Sequence, residues 1–407
     1  MNVLFLSPAF PAEMPAFVEG LAKVGAHVYG IGEQPEGALP ERAKRALTAY
    51  KQVSGLFDTQ STVATVLDQL KKYGVTIDRV ESPWEPTVEL TAQLREALGV
   101  PGMGLEQATA FRDKEIMKQV LDGAGLRTPH HHRCNTTDQM RAAAEDVGFP
   151  LIVKPIAGAG SADTYRVNDA AELDNVIKLV GHVPEVSVEE FIEGEEFTFD
   201  TICANGEVLY YNIAWYRPRP LIARSLEWTS PQTMSLRDVD APHLAPGKAL
   251  GFNVLKALGF RDGYTHMEWF LTPRGEAVFG EIGARPPGAR TVDVMNHACD
   301  ADFHAGWASA VCYGTLGQSW ERRYNAASIF KRAQGQGRIQ RIEGLESLMH
   351  RYGRHIVAVE LLPIGAPRRN WKQTLLSDGH LMVRHPDLSS CIEICDAVGT
   401  DLQLYAG

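Results

Sequence analysis

The chain has 407 residues, of which 44% are hydrophobic and 22% charged, enough apolar material for roughly two to four domains. Its net charge of −10 argues against nucleic acid as a partner, because binding nucleic acid requires clustered Lys and Arg. No apolar run approaches the roughly 18 residues of a membrane span, and the six cysteines show no CxxC spacing, so we expect a cytoplasmic protein without membrane or disulfide.

The first segment, residues 1–104, alternates short apolar runs with helical patterns. This alternation predicts a doubly wound parallel α/β sheet of the Rossmann-like type. No GxGxxG follows the first run, where SPAFPAE stands instead, so a dinucleotide site is disfavoured here. The predicted strands are Asn2 to Leu6, His27 to Ile31 and Val75 to Val80, and the predicted helices are Glu13 to Val24, Thr62 to Tyr73 and Val88 to Leu98.

A new domain is expected after the turn-rich GVPGMG. Residues 105–186 begin with one long helix and continue with a buried strand that ends at Lys154, a glycine-rich turn and a second strand. A strand, flexible loop and strand in this order predict a lid that closes over a ligand. Residues 187–316 read as antiparallel sheet, and residues 317–407 as a small α+β tail.

Lys154 stands just before Gly158, Ala159, Gly160 and Ser161. An ammonium group beside closely approaching backbone N–H groups suits phosphate oxygens. The segment lacks the GxxxxGK[ST] pattern of a Walker A loop, so a lysine at an exposed strand end followed by a simple turn remains an alternative.

Glu268 and Glu281 lie on the two arms of one predicted hairpin. Alternation places Glu268 on one face with His266 and Phe270, and Glu281 on one face with Phe279 and Gly283. Both carboxylates can therefore point to the same side, where they repel each other unless a cation such as Mg²⁺ lies between them. The alternative is two solvent-facing glutamates.

Two further groups suit a site that handles phosphate and nucleotide. Arg285 follows Glu281 by four residues and could stabilise the charge of a transferring phosphoryl group or a tetrahedral intermediate, or simply bind local carbonyls. Glu189, Glu190, Phe191 and Ile192 form an extended segment before Glu196. The segment could pair with a base edge and Glu196 with ribose hydroxyls, although a strand, turn and strand need no ligand.

In this order the segments RDKEIMKQVLDGAGLRTP, FPLIVKP with AGAGS, VEEFIEGEEFT and HMEWFLTPRGEAVFGEIGARPPG resemble the ATP-grasp superfamily over roughly the first three quarters of the chain. The resemblance implies that Lys114 and Lys154 bind phosphates beneath a lid of residues 158–161, that residues 189–192 contact adenine and that Glu196 binds ribose. It also implies that Glu268 and Glu281 bind Mg²⁺, with Mn²⁺ as a substitute, and that Arg285 steadies an acyl phosphate.

Many superfamily members carry E-x-N after the second metal glutamate, whereas Gly283 occupies the third position here. Some bacterial L-amino-acid ligases are similar in having a small residue there, followed by A-R. The resemblance therefore implies an ATP-dependent ligase that joins a carboxylate to an amine and releases ADP and phosphate, with an amino acid among its substrates.

Substrate and metal candidates outside these motifs are few. An aromatic segment holds Arg217, Arg219 and Arg224, of which one could bind a substrate carboxylate, and Glu227, which could bind an amine. Arg290 is a second candidate for the carboxylate. Packing or solvation explains each of them equally well. Three adjacent imidazoles, those of His130 to His132, point in different directions on a loop, which disfavours a metal site there.

Two other functions stay open. A purine-pathway or bicarbonate-using ligase of the same superfamily would use a different nucleophile. A nucleotide-binding sensor without turnover would be consistent with Gly283. The sequence predicts small-molecule partners and leaves a homodimer open.

Overall fold

The first 104 residues form a four-stranded parallel sheet in the order β3-β2-β1-β4. The computed structural model describes residues 1–157, 163–374 and 376–407. The parallel α/β arrangement predicted here is confirmed, but the strand expected from Val75 is limited to three residues. The elements are β1 Asn2–Leu6, α1 Met14–Lys23, β2 His27–Gly32, α2 Glu41–Ala46, β3 Leu47–Gln52, α3 Thr59–Tyr73, β4 Arg79–Glu81 and α4 Val88–Leu98.

The next region carries an antiparallel sheet in the order β5-β8-β6-β7. The single long helix predicted at its start is wrong, because it is interrupted before Asp113. The Asp113 carboxylate accepts hydrogen bonds from the backbone N–H groups of Glu115 and Ile116, both at 3.0 Å, and so starts a second helix. The elements are α5 Leu105–Ala110, α6 Lys114–Gly123, β5 His131–Cys134, α7 Thr137–Val147, β6 Leu151–Pro155, β7 Tyr165–Val167, α8 Ala170–Leu179 and β8 Val186–Glu190.

A nine-stranded sheet dominates the rest of the chain, in the order β14-β13-β9-β11-β12-β15-β19-β18, with β10 paired to β9. Up to residue 316 its elements are β9 Glu195–Ala204, β10 Glu207–Asn212, β11 Ala214–Arg217, α9 Pro220–Ser225, β12 Gln232–Ser235, α10 Ala245–Ala257, β13 Gly263–Leu271, β14 Ala277–Gly283, α11 Thr291–Cys299 and α12 Phe303–Tyr313. The antiparallel character predicted for this region is confirmed.

The C-terminal region contributes three strands to that same sheet, since β15 pairs with β12 and β19 with β15. Its elements are β15 Asn325–Phe330, β16 Gln334–Gly335, β17 Ile339–Glu343, α13 Leu345–Tyr352, β18 Ile356–Leu361, β19 Gly379–His385, α14 Leu388–Asp401 and β20 Gln403–Ala406. Its other three strands form a separate sheet in the order β16-β20-β17. The three domain boundaries predicted from the sequence stay predictions, and the last one falls between strands of one sheet.

The core behind β13 and β14 is aromatic. Trp269 is fully buried and stacks on Phe197 with ring centroids 5.0 Å apart. Helix α10 approaches so closely that a Cβ at Gly247 would lie 2.1 Å from the Trp269 ring. This packing makes the back of the hairpin rigid. Within the described ranges, no helix combines the length and apolarity needed to cross a bilayer.

Candidate active site

Glu268 and Glu281 are direct cross-strand partners on β13 and β14, so both carboxylates project to the same side, as predicted. The register then shifts, and Trp269 pairs with Phe279, leaving Gly280 as a bulge. Simple alternation, which placed Phe279 on the face of Glu281, is therefore wrong for this residue. A Cβ at Gly280 would lie 2.8 Å from the Glu268 carbonyl oxygen, so the bulge depends on glycine.

A third carboxylate, Glu196 on β9, lies on the neighbouring strand and is 6% exposed. Burial and repulsion from Glu268 raise its pKa to about 8. Burial also opposes ionisation of Glu281, but Lys114 and Lys154 outweigh it and lower the pKa of Glu281 to about 2. One buried carboxylate and two partly exposed ones thus lie on this side of the cleft, and burial together with repulsion from Glu268 disfavours the charged form of Glu196.

The donor set fits a hard divalent cation. Two facing carboxylates are oxygen ligands of the kind that Mg²⁺ prefers, and a cation would relieve the repulsion from Glu268 that, together with burial, raises the pKa of Glu196. Glu268 and Glu281 are the residues that would hold it.

Three polar side chains fix the orientation of Glu268. The Tyr216 hydroxyl donates to its Oε1 at 3.2 Å, and His266 Nε2 lies 3.5 Å from the same oxygen. His266 Nδ1 in turn lies 2.6 Å from Asp200 Oδ1. Burial opposes protonation of this imidazole, but hydrogen bonds to the two carboxylates raise its pKa to about 9. Tyr216 and Asp200 carry no motif, so the sequence analysis did not find them.

The opposite side of the cleft is lysine-rich. Lys154, at the end of β6, lies with its Nζ 2.5 Å from Glu189 Oε1, and the buried Lys118 donates to Glu189 Oε2. These two cations hold the pKa of Glu189 down to about 2 against the effect of burial. The carboxylate of Glu189 is therefore paired with the two lysines. Its main chain pairs with β5 on one side and β6 on the other, whereas the sequence analysis expected it to contact a base.

Lys114 spans the cleft, with its Nζ 3.3 Å from Glu281 Oε2. It begins α6, and Lys118 lies one turn further on the same face. That four-residue spacing was the signal by which Lys118 could have been found from the sequence.

An apolar end of the cleft is lined by Phe191, Ile192 and Phe270. The Arg219 guanidinium lies 5.2 Å from the Phe191 ring centroid and 4.8 Å from that of Phe270. It donates to the Ile192 carbonyl at 2.9 Å and to Glu196 at 3.3 Å. Flat apolar walls next to a backbone carbonyl and a carboxylate suit a base and its ribose.

Arg285 is held by a residue that lies between β4 and α4. Its Nε donates to Glu85 Oε2 at 2.7 Å, and Arg112 donates to Glu85 Oε1 at 2.5 Å. A Cβ at Gly283 would lie 3.2 Å from the Arg285 Cγ atom. The small residue at position 283 thus leaves room for the Arg285 side chain beside the carboxylate hairpin.

Comparison with known proteins agrees with this geometry. Residues 111–215 match the model of an ATP-grasp domain. This part of the chain is therefore similar to an ATP-grasp domain. An L-arginine-specific L-amino acid ligase of Bacillus subtilis is 29% identical over 215 residues, which cover 51% of each chain. An alanine–anticapsin ligase of Bacillus subtilis is 28% identical over 58% of this chain and 54% of its own.

The chain therefore spans about half the length of the curated relatives it matches. A solved L-amino acid ligase from Bacillus licheniformis superimposes with a TM-score of 0.79 at 20% identity, covering 100% of this chain and 98% of the other. At that identity the superposition establishes that the ATP-grasp fold extends over the whole chain.

The cleft of the ATP-grasp fold brings together most of the predicted residues. Its lining includes Lys114, Lys154, Glu189, Glu190, Phe191, Ile192, Glu196, Glu268 and Glu281. Glu190 also binds Arg127 at 2.9 and 3.0 Å. The predicted lid residues Gly158, Gly160 and Ser161 lie outside the described residues.

The two substrate candidates lie elsewhere in the ATP-grasp fold. Glu227 pairs with Arg368 at 2.5 Å, beside the C-terminal region. Arg290 pairs with Asp293 at 3.2 Å and with Glu360 at 2.8 Å. Neither is among the residues that line the cleft, and both are held by ion pairs outside it.

Proposed function

We propose that this chain is an ATP-dependent ligase that joins a carboxylate to an amine through an acyl phosphate, with an amino acid as one substrate. The observation that carries the proposal is the cleft itself, where lysines and a carboxylate pair face each other beside an apolar end. The names of the relatives, an L-arginine-specific L-amino acid ligase and alanine–anticapsin ligases, favour amino acids over other carboxylates.

In the first step a substrate carboxylate oxygen attacks the γ-phosphorus of ATP, and the bond to ADP breaks. Lys114 and Lys154 hold phosphate oxygens and oppose the charge that spreads over them. Mg²⁺ held by Glu268 and Glu281 would supply further neutralisation of phosphate charge. The apolar end, with Phe191 and Phe270, holds the base and orients the nucleotide.

In the second step the amine nitrogen attacks the acyl carbon, the nitrogen loses a proton and the bond to phosphate breaks. The product is an amide, and ADP and phosphate leave. Arg285 steadies the negative oxygens of the tetrahedral intermediate, and Glu85 keeps its guanidinium in place. Glu85 reaches the site from the first domain, so that domain takes part in the reaction by this route.

The test is incubation with Mg²⁺-ATP and a panel of amino acids, with ADP, AMP, phosphate and pyrophosphate measured separately. We expect amino-acid-dependent release of ADP and phosphate in equal amounts, and loss of that release in Glu281→Gln. Release of AMP and pyrophosphate would contradict the proposal. Turnover that depends only on bicarbonate or phosphoribosylamine would favour the purine-pathway class, and ATP binding without any ADP formation would favour a sensor.

A further inference from the structure

Two histidines and an aspartate converge on the small sheet, outside the residues that line the nucleotide cleft. His130 directly precedes β5 and His132 lies on it, so alternation sends both imidazoles to the same side. Their Nε2 atoms lie 3.3 and 2.7 Å from the same oxygen, Oδ2 of Asp146 on α7. The prediction that the adjacent rings all diverge is therefore wrong for these two.

The middle imidazole, that of His131, points away from the pair. Its Nδ1 lies 2.7 Å from Glu115 Oε2 and its Nε2 lies 3.0 Å from Asp122 Oδ2, both on α6. His131 is thus committed to a buried ion pair, while His130 and His132 remain half-exposed with their Nε2 atoms directed at one carboxylate.

The spacing of the three donor atoms suits one metal ion. All of them lie within 4.8 Å of one another. Metal bonds of about 2.0–2.2 Å bring ligand atoms to about 3 Å from each other, which small side-chain rotations of exposed residues can reach here. The carboxylate also lies in the last turn of α7, where the helix dipole favours a cation.

We propose that His130, His132 and Asp146 form a second metal site, which takes a borderline transition-metal dication such as Zn²⁺ or Ni²⁺. Two imidazoles and one carboxylate are the ligands that such ions prefer, whereas Mg²⁺ prefers the all-oxygen pair Glu268 and Glu281. Water completes the coordination, because the three side chains are 40–58% exposed.

The site joins β5 to α7. The metal site is directly connected to the cleft, because the His130 carbonyl accepts a hydrogen bond at 2.8 Å from the N–H group of Glu190, which lines the cleft. Metal bound to the folded chain alone stabilises it by mass action, so Zn²⁺ raises the melting temperature of the protein. This consequence does not depend on the ligase activity.

The test is calorimetric titration of the full chain with Zn²⁺ in excess Mg²⁺, with Co²⁺ absorption as a second readout of imidazole ligation. We expect one Zn²⁺ per chain, and His130→Ala, His132→Ala and Asp146→Asn each to weaken binding by roughly tenfold or more. His182→Ala is the matched control, because His182 is 64% exposed and faces a single carboxylate, that of Asp163, at 3.4 Å.

The control variant and Glu268→Gln/Glu281→Gln should bind Zn²⁺ as the wild type does. Wild-type affinity in all three site variants, or no Zn²⁺ bound at one equivalent by the wild type, would overturn the proposal. Loss of binding in the glutamate variant alone would assign the ion to the cleft and overturn it as well.

Discussion

A buried glutamate lies on each side of the nucleotide cleft, and the two have pKa values shifted in opposite directions. On the lysine side, Lys118 and Lys154 share the carboxylate of Glu189, and its pKa falls to about 2. On the carboxylate side, Glu196 lies buried near Glu268, and its pKa rises to about 8. On the lysine side one carboxylate serves two cations, whereas on the carboxylate side Arg219 reaches Glu196 and Lys114 reaches Glu281, yet Glu196 and Glu268 still repel each other. The comparison indicates that the cation belongs on the carboxylate side and the phosphates between the two.

Glu281→Gln should have the largest effect on activity. It removes half of the carboxylate pair, so we expect turnover to fall by roughly 10³-fold or more, as when a main source of electrostatic stabilisation is lost. The measurement is steady-state ADP release. Glu276→Gln, at the exposed turn of the same hairpin, is the control and should retain activity. Equal activity in both variants would remove Glu281 from the metal site.

Glu189→Gln should have the largest effect on folding. It leaves the buried ammonium group of Lys118 and the largely buried one of Lys154 without their shared carboxylate, a change that typically costs about 3–5 kcal/mol of unfolding free energy. Denaturant unfolding measures it, with Glu193→Gln outside the cluster as the control. A loss below about 1 kcal/mol would show that the lysine side is not held together by this residue.

Glu85→Gln should lower kcat by a smaller factor and leave ATP binding unchanged. Arg285 loses its charged partner but keeps its own charge, so we expect kcat to fall roughly 10–100-fold, as for an orienting residue. The KM for ATP should stay unchanged, because Glu85 is not among the residues that line the cleft. Glu19→Gln, on the surface of α1, is the control. A rise in the KM for ATP with constant kcat would contradict this role.

The pH dependence of stability should show the smallest effect. The folded pKa of Glu196 is raised, so the folded state binds more protons than the unfolded state between about pH 4.5 and pH 8. The unfolding free energy measured in EDTA should therefore fall as the pH rises through this window. Glu196→Gln should flatten this part of the profile, and an unchanged slope in that variant would contradict the account.

Site residues whose position follows from strand alternation or from a short motif could be predicted from the sequence. Strand alternation placed Glu268 and Glu281 on one side, and the lysine before the glycine-rich segment identified Lys154. The same alternation failed at Phe279, because a bulge at Gly280 depends on close contact with a neighbouring strand and leaves no periodic signal.

Ion pairs between residues far apart in the chain could not be predicted from the sequence. Lys118 and Glu189 are 71 residues apart, and Arg285 and Glu85 are 200 residues apart. Each contact exists only once separate elements pack together. Motifs predict the phosphate and metal residues, but no sequence pattern shows that Glu189 supplies the counter-charge for the lysines on one side of the cleft.

The central claim is that the carboxylate side of the cleft requires a divalent cation and the lysine side does not. Calorimetric titration with ADP, with and without Mg²⁺, tests it directly. We predict that Mg²⁺ strengthens ADP binding to the wild type and not to Glu268→Gln/Glu281→Gln, and that Lys154→Met weakens ADP binding under both conditions. The same strengthening by Mg²⁺ in the double variant as in the wild type would contradict the claim.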